Sequence, residues 1–380
     1  INETNEDIAV LKGRVDGLEA QQTDFEAGAF SSTTSMDGKA IMWVGAVDGA
    51  DEIGGKEVTQ TGYTYTMNLN TSFTGDDNLY VRLKAGNQGA QWGDKETYHI
   101  ETKSTGSSFN VDKLWYQFPL GDNVTAFAGP LIENYYMYVT PSIYQPGALK
   151  SFKLGGNSNF GASTDVGFGF KYEADNGFAI ASNMVDKGGM GSGLLGEKGA
   201  KKWDTQLAYT TDRWHVSATY SDTKNWTSQS YNATALGYQI GHADYSDGNA
   251  TGYALRTYWR PENSGTATPE ISVGYDLKSA DKATSGKPKE GDSYFVGLTW
   301  RDMFQADDRI GFALTQPLMV TEVQGGGATG EVDPLVWEAY YSFRPNDSME
   351  VRPAIFGGTD VHDSTADDIF GAVLTTEFKF

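Results

Sequence analysis

The feature that most limits how this chain can fold is a two-residue alternation of apolar and polar side chains, which starts after Gly28. It is clearest at residues 61–73, where Tyr63 and Met67 share one face and Thr64 shares the other. Such alternation predicts β-strands with one apolar face. It recurs at residues 79–85, 166–172, 203–209, 214–220, 253–259, 271–277, 310–314, 337–343, 349–355 and 370–380.

Short connections rich in Asp, Asn and Gly alternate with long ones, and these residues suit tight turns. We predict short turns at 75–78, 121–123, 174–176, 211–213, 305–308 and 345–347, with a looser one at 261–268. Long loops are predicted at 49–59, 88–109, 131–162, 186–201, 222–250, 279–290, 317–333 and 358–367. Seven turns and eight loops connect sixteen strands. Residues 234–240 could form a further strand, so eighteen strands is the alternative.

Short turns at one end and long loops at the other are typical of a transmembrane antiparallel β-barrel of the bacterial outer membrane. An even number of strands then places both chain ends in the periplasm. Aromatic spacing supports a membrane, because Trp203 and Tyr209, like Trp214 and Tyr220, are six residues apart on one strand face. Six residues span roughly 20 Å of strand, close to the separation of the two aromatic girdles of such barrels.

Composition excludes several other classes of protein. Hydrophobic residues make up 39% of the 380 residues, which is a low share for a globular enzyme of this length. No stretch approaches 18 apolar residues, so a transmembrane helix is not predicted. The net charge of −21 argues against nucleic acid as a partner, and the absence of cysteine favours an exported protein.

Residues 1–27 have a different, helical period. Ile1, Ile8 and Val15 are seven residues apart, and so are Leu11 and Leu18 on the adjacent seam position. This heptad pattern predicts the end of a coiled-coil stalk, followed by a barrel domain over residues 28–380. An amphipathic helix packed on the same chain is the alternative. Because the chain begins inside this pattern without a Met, we interpret it as a mature or partial protein.

A stalk segment, the run from Thr23 to Thr34 and a last strand ending in Phe378-Lys379-Phe380 follow one another in this order. The whole arrangement resembles the cyanobacterial major outer-membrane porins of the carbohydrate-selective, or iron-uptake, porin family. The resemblance implies a homotrimer in outer-membrane lipid. It also implies attachment to peptidoglycan or a linked polymer through an N-terminal SLH domain that is not in this chain. The family name suggests sugars or iron as solutes.

A barrel of this size has a water-filled lumen, and charges at its narrowest part govern selectivity. Strand parity places a set of basic side chains on the inner face, together with the acidic Glu270, Asp276, Glu338 and Glu350. The basic and polar residues that we expect to line the pore are Asn68, Asn70, Arg82, Lys84, Arg256, Arg260, Arg309, Arg344 and Arg352.

The loop at 131–162 is the best candidate for a constriction, because it is long, aromatic and contains two prolines. It follows the fifth predicted strand, and we expect it to enter the barrel opposite Arg82 and Lys84. An external cap or a subunit contact is the alternative. The loop residues expected to line the pore are Glu133, Tyr135, Lys150 and Lys153.

These features predict passive diffusion of small hydrophilic solutes, chiefly inorganic ions, with a sugar- or iron-selective channel or a structural tether to the cell wall as alternatives. A basic constriction attracts anions, whereas the acidic protein draws cations to its mouths. We expect anions to be preferred, because the constriction sets the rate. The four histidines have no metal-ligand spacing and no nucleotide or hydrolase motif occurs, so neither an enzyme nor a cofactor is predicted. An outer-membrane phospholipase or protease assembled across strands is the remaining enzyme alternative.

Overall fold

The structure is a computed structural model that describes residues 33–49, 55–88, 92, 100, 103–156, 159, 164–188, 193–197, 199–226, 232–330, 333–359 and 368–380. Its strands are β1 (Thr34–Asp48), β2 (Gln60–Thr71), β3 (Asn78–Gln88), β4 (Lys103–Ser104), β5 (Asn110–Pro119), β6 (Val124–Ile132), β7 (Asp165–Glu173), β8 (Phe178–Asp186), β9 (Lys201–Thr210), β10 (Trp214–Lys224), β11 (Asn249–Trp259), β12 (Glu270–Ala280), β13 (Pro288–Arg301), β14 (Arg309–Val323), β15 (Leu335–Asn346), β16 (Met349–Thr359) and β17 (Ile369–Lys379). Short 3-10 helices occupy Asn134–Met137, Lys150–Gly155 and Gly237–Gln239.

The strands close into a barrel in which neighbours in sequence are neighbours in space. Val44 of β1 lies opposite Thr61 of β2 on one side and opposite Leu374 of β17 on the other, so the first and last strands pair. The two-residue β4 pairs only with the end of β3 and does not contribute to the wall. The described residues therefore form a closed antiparallel barrel of sixteen strands, and the predicted all-β barrel is confirmed.

The alternative of eighteen strands is wrong, because residues 234–240 do not extend along the wall. They contain the 3-10 helix Gly237–Gln239. Ala233 and Ile240 pack instead with Leu318 and Val320 of β14, all four nearly inaccessible to solvent. Burial of these apolar side chains at the loop end of the barrel favours a packed cap over a further strand.

The seven short turns leave the barrel at one end and the long loops at the other, since consecutive wall strands are antiparallel. Two turns are organised by an aspartate. Asp77 accepts a hydrogen bond from the Tyr116 hydroxyl at 2.6 Å and from two backbone NH groups of its own turn, and these bonds hold its pKa well below the ordinary value. Burial alone would raise the pKa of Asp308, but hydrogen bonds from the backbone of 303–305 outweigh it and lower the pKa.

The two faces of the wall differ as the alternation predicts. Leu207, Val216 and Leu255 remain 48–54% exposed on the outside, whereas Ser217 and Arg256, in alternate positions, are at most 3% exposed. Five tryptophans share the outward parity, and all of them lie on the arc from β9 to β15: Trp203, Trp214, Trp259, Trp300 and Trp337. The outer surface therefore has two arcs. The arc from β9 to β15 bears the tryptophans, and the other arc runs from β16 through β1 to β8 and has no outward tryptophan among its described residues.

The predicted coiled-coil segment, residues 1–27, lies outside the described residues, as do residues 28–32 of the predicted barrel domain. None of the described helices is long and apolar enough to cross a membrane.

Candidate functional site

The segment between β6 and β7, residues 133–164, is here called the pore loop. Its described residues fold back into the barrel and contact the opposite wall. Glu338, on the inner face of β15, accepts hydrogen bonds from the backbone NH groups of Gly147, Ala148 and Leu149 at 2.7–3.0 Å. The Tyr144 hydroxyl donates a further bond to the same carboxylate at 2.8 Å. Burial raises the pKa of Tyr144 well above its ordinary value, so the phenol keeps its proton and remains a donor.

Further hydrogen bonds attach the pore loop along its length to inward side chains of the wall. Asn134 donates to Asp204 of β9 at 2.8 Å, and Tyr340 of β15 donates to the carbonyl of Gln145 at 2.7 Å. At the end of the 3-10 helix, Arg256 donates to the carbonyl of Leu154 at 3.0 Å. The contacts span strands from β9 to β15, so the loop is fixed across the lumen by several independent bonds.

An apolar cluster reinforces these bonds. Leu149 and Phe152 of the pore loop are fully buried against Phe295 of β13 and Tyr340. The rings of Phe152 and Phe295 have centroids 6.1 Å apart. Complete burial of side chains of this size stabilises the folded state by about 1.5–3 kcal/mol each. The loop therefore packs as a core element and not as a loose flap.

Glycines on the inner wall let the loop approach closely. A Cβ atom at Gly274 of β12 would lie 2.2 Å from the carbonyl oxygen of Gly155, and one at Gly297 of β13 would lie 2.7 Å from the Tyr144 ring. Neither position can take a larger residue without displacement, since real Cβ contacts are not this short. The inner face of β12 and β13 is thus shaped to receive the loop on that side of the barrel.

On the other side of the pore loop a chamber of about 440 Å³ remains open, bounded by β3, β4, β5 and the loop. We call it the basic chamber. Two carboxylates, Asp112 and Glu133, border it. The described basic side chains that line it are Arg82, Lys84, Lys103, Lys113, Lys150 and Lys153.

A smaller space of about 180 Å³ separates the pore loop from β1, β16 and β17, the strands that close the barrel. Lys150 and Lys153 border this space as well as the basic chamber. Lys39 of β1 and Arg352 of β16 face it from the wall, with Glu377 of β17 beside Lys39 at 2.9 Å. We call it the seam passage.

Ion pairs hold several cations of the basic chamber in place. Asp112 lies 2.8 Å from the Lys103 ammonium and 3.3 Å from the Arg82 guanidinium, and Glu133 lies 2.6 Å from Lys113. Arg82 also donates to the Tyr136 hydroxyl of the pore loop. Both acids are therefore engaged by cations, which still outnumber them around the chamber.

The structure brings together the predicted residues Arg82, Lys84, Glu133, Tyr135, Lys150 and Lys153 around the basic chamber. Arg352 borders the seam passage and pairs with Glu350 at 2.5 Å. Asn68 and Asn70 lie on the inner face toward the turn end, where they donate to Asp37 at 2.7 and 3.1 Å.

The other predicted arginines lie elsewhere. Arg256 is 2% exposed and pairs with Asp276 at 2.8 Å behind the pore loop, so it faces inward but does not border open lumen. Arg309 is 8% exposed and pairs with Glu350 at 2.9 Å. Arg260 and Arg344 lie next to the short turns, where Arg344 is 3.8 Å from Asp307.

Sequence reasoning missed Lys103, Asp112 and Lys113 of the basic chamber. A β-bulge explains the two β5 residues, because Arg82 lies opposite Lys113 while Leu83 lies opposite Val111. The extra residue, Asp112, reverses the parity of the strand, and a parity rule cannot locate such a break without another signal. No group of side chains able to hold a metal ion occurs among the residues that the structure describes.

Comparison with known proteins gives a consistent result. The model of the carbohydrate-selective porin, OprB family, matches residues 2–358. An uncharacterized protein of Nostoc sp. is 27% identical over 419 residues, which cover all of this chain and 71% of that protein. An uncharacterized protein of Synechocystis sp. is 27% identical over 389 residues, which cover 92% of this chain and 69% of that protein.

Solved porin structures share the fold. A loop-deletion mutant of OmpT, an outer membrane protein of Vibrio cholerae, superimposes with a TM-score of 0.56 at 10% identity, covering 92% of this chain and 99% of that one. A mutant of Rh. blastica porin gives 0.50 at 10% identity, covering 91% and 100%. With the family match, these findings confirm the predicted resemblance, the outer-membrane location and a channel instead of an enzyme.

Proposed function

Because this chain belongs to the carbohydrate-selective porin, OprB family, we propose that its lumen conducts small hydrophilic solutes passively, chiefly inorganic ions, and prefers anions. Family and fold make it an outer-membrane channel for solutes, and the preference is our inference. The basic chamber is the observation that carries it. Six described cations line the chamber against two carboxylates, in a protein whose net charge is −21.

Position explains why a basic chamber outweighs an acidic exterior. Charges on the outer surface and at the mouths are screened by salt over about 10 Å. Inside a narrow lumen with low-dielectric walls the field of Lys150 and Lys153 acts on every ion that passes. Both lysines border the basic chamber and the seam passage, so an ion using either space passes them.

The test is the reversal potential of the purified protein in a planar bilayer under a salt gradient. We expect the wild type to prefer chloride, and Lys153→Glu to lower the chloride-to-potassium permeability ratio severalfold, because the local charge changes by two units. Arg82→Glu also removes the contacts of Arg82 with Tyr136 and Asp112 and so disturbs the wall.

Lys171→Glu is the matched control. It makes the same change of charge on β7, away from the basic chamber. There the Lys171 ammonium lies 2.7 Å from the Glu173 carboxylate. Equal shifts in both variants, or a wild type that prefers potassium, would show that the basic chamber does not set selectivity.

Carbohydrate is the second candidate solute. Tyr135 and Tyr144 border the basic chamber beside its cations, and aromatic rings with polar tips suit sugar faces. The family description also names carbohydrate. Swelling of protein-containing liposomes in sugars compared with salts separates the two candidates, and faster entry of glucose than of chloride would favour sugar.

We further propose that the chain forms a homotrimer and that both termini face the periplasm. The outer surface supports the first proposal, because interfacial tryptophans, which anchor proteins at lipid headgroups, occur only on the β9–β15 arc of the described wall. The arc without them is free to face other copies. Attachment to peptidoglycan or a linked polymer through an SLH domain remains a proposal based on the family resemblance.

A further inference from the structure

We propose that the basic chamber is a binding site for multiply charged oxyanions of the phosphate and sulfate class, and not only a region of positive potential. This inference rests on the proposed anion preference and adds a ligand class to it. A general positive potential increases the flux of all small anions. A binding site instead retains one class of anion, so its occupancy saturates as the concentration rises.

The arrangement of charge favours a multivalent ligand. Lys150 and Lys153 project from the pore loop, while Arg82, Lys84 and Lys113 belong to the wall, so the cations border the chamber from two sides. The described lining residues carry an excess of four positive charges, six cations against two carboxylates. A dianion interacts with cations on both sides at once, and its Coulomb attraction to each is twice that of chloride.

Two hydroxyl groups add directed hydrogen bonds that an oxyanion can accept. The Thr164 hydroxyl oxygen accepts a bond from the Lys113 ammonium at 2.6 Å, and the Ser142 hydroxyl oxygen accepts one from the Tyr144 backbone NH at 3.3 Å. Each hydroxyl therefore keeps its own hydrogen for donation. Both residues border the chamber, and neither hydrogen has an acceptor among the described residues.

The volume agrees with this ligand class. About 440 Å³ accommodates a tetrahedral oxyanion together with several waters, each of which occupies roughly 30 Å³ in the liquid. The oxyanion can thus keep part of its hydration while it contacts the walls. Such partial dehydration favours reversible binding, which a conducting channel requires.

The experiment measures chloride current through single wild-type channels while inorganic phosphate is added at mildly alkaline pH, where phosphate is mainly a dianion. Sulfate is the second probe, and acetate is the monovalent control. We expect phosphate and sulfate to reduce the current saturably, and acetate to do so at least about tenfold less effectively.

Two variants separate the site from the general field. Ser142→Ala with Thr164→Ala removes two donors but no charge, and we expect the concentration of phosphate for half-inhibition to rise about tenfold. Lys153→Gln should raise it to a similar extent, whereas Lys171→Gln on β7 should not change it. Heat-resistant β-sheet circular dichroism shows that each variant is folded.

The outcomes distinguish this inference from the proposed function. If the channel prefers chloride and added phosphate never inhibits the chloride current, the oxyanion site is overturned but the anion channel stands. Saturable inhibition by phosphate without a chloride preference supports the site and overturns the general anion preference. Equal inhibition by acetate and phosphate also overturns the site, because the chamber would then not distinguish anions by their charge or by the hydrogen bonds that they accept.

Discussion

At the scale of single residues, Glu338 makes four hydrogen bonds that position the pore loop. Its carboxylate holds three backbone NH groups and the Tyr144 hydroxyl, and it has no exposed surface. In Glu338→Gln the new amide presents donors where the loop also presents donors. We expect a loss of about 2–3 kcal/mol in loop anchoring and a larger, more variable unitary conductance in planar bilayers.

Glu322→Gln is the control for that substitution, since Glu322 is half exposed at the outer end of β14 and contacts only Lys289 among its described ion partners. Its conductance should match the wild type. A Glu338→Gln channel with wild-type conductance and noise would mean that the apolar cluster around Phe152 suffices to hold the loop.

Acid should destabilise the barrel through two turn aspartates. Hydrogen bonds lower the folded-state pKa of Asp77 and Asp308 below the value of about 3.9 in an unfolded chain. Their stabilisation is therefore complete above that ordinary value and is lost as pH falls toward the lowered pKa. We expect thermal stability in detergent to fall below about pH 4, and to fall less in the double variant Asp77→Asn with Asp308→Asn.

The same double variant should be less stable than wild type at neutral pH, where the carboxylates make these bonds. Asp175→Asn, in the exposed β7–β8 turn, is the control. An unchanged acid dependence in the double variant would place the acid-sensitive groups elsewhere in the barrel.

Residue roles could be predicted from sequence only where the parity of a strand is unbroken. Arg82 and Glu338 were assigned correctly to the inner face, because their strands alternate regularly around them. Lys113 was missed because the bulge at Asp112 shifts the register of β5. The hydrogen bonds of Glu338 were also beyond reach, because they join groups about 190 residues apart.

At the scale of elements, the strands and turns follow from local chemistry and were predicted, whereas the docking of the pore loop depends on distant partners. Glycines such as Gly274 and Gly297 leave room for the loop on the inner face of the wall. A glycine within an alternating strand indicates a close approach of another segment, but it does not say which segment. Sequence therefore predicts a long loop but not the wall on which it lies.

Removing the middle of this loop tests its role as an element. Deletion of residues 140–155 takes away Tyr144, Phe152 and both loop lysines, and we expect a severalfold larger conductance with weaker ion selectivity. Deletion of residues 325–328, in the loop after β14, is the control and should leave conductance near the wild-type value. Unchanged conductance in the first deletion would show that the loop does not narrow the pore.

At the scale of the whole molecule, the uneven outer surface predicts how copies associate. Met42 of β1 is 56% exposed and Leu255 of β11 is 54% exposed. The two apolar side chains are similarly exposed but lie on different arcs, so the same substitution at both positions compares the arcs. We expect cross-linking and mass photometry of the wild type in detergent to give three chains, and Met42→Lys to reduce the trimer fraction.

Leu255→Lys, on the tryptophan-bearing arc, should keep the trimer. A charge there faces lipid and costs up to about 2–4 kcal/mol in the bilayer, which affects insertion and not contact between copies. A monomeric wild type would refute the assembly, and equal loss of trimer in both variants would refute the placement of the interface.

The seam passage has a consequence for biogenesis. Its boundary combines Lys39 near the beginning of the wall, Glu377 near its end and Lys150 from the middle of the chain. The Lys39 and Glu377 side chains meet only when β1 and β17 pair, so an unclosed barrel lacks one boundary of the seam passage. Pairing of these two strands therefore completes the passage together with the wall, and we expect a chain that inserts with this seam open to leak ions.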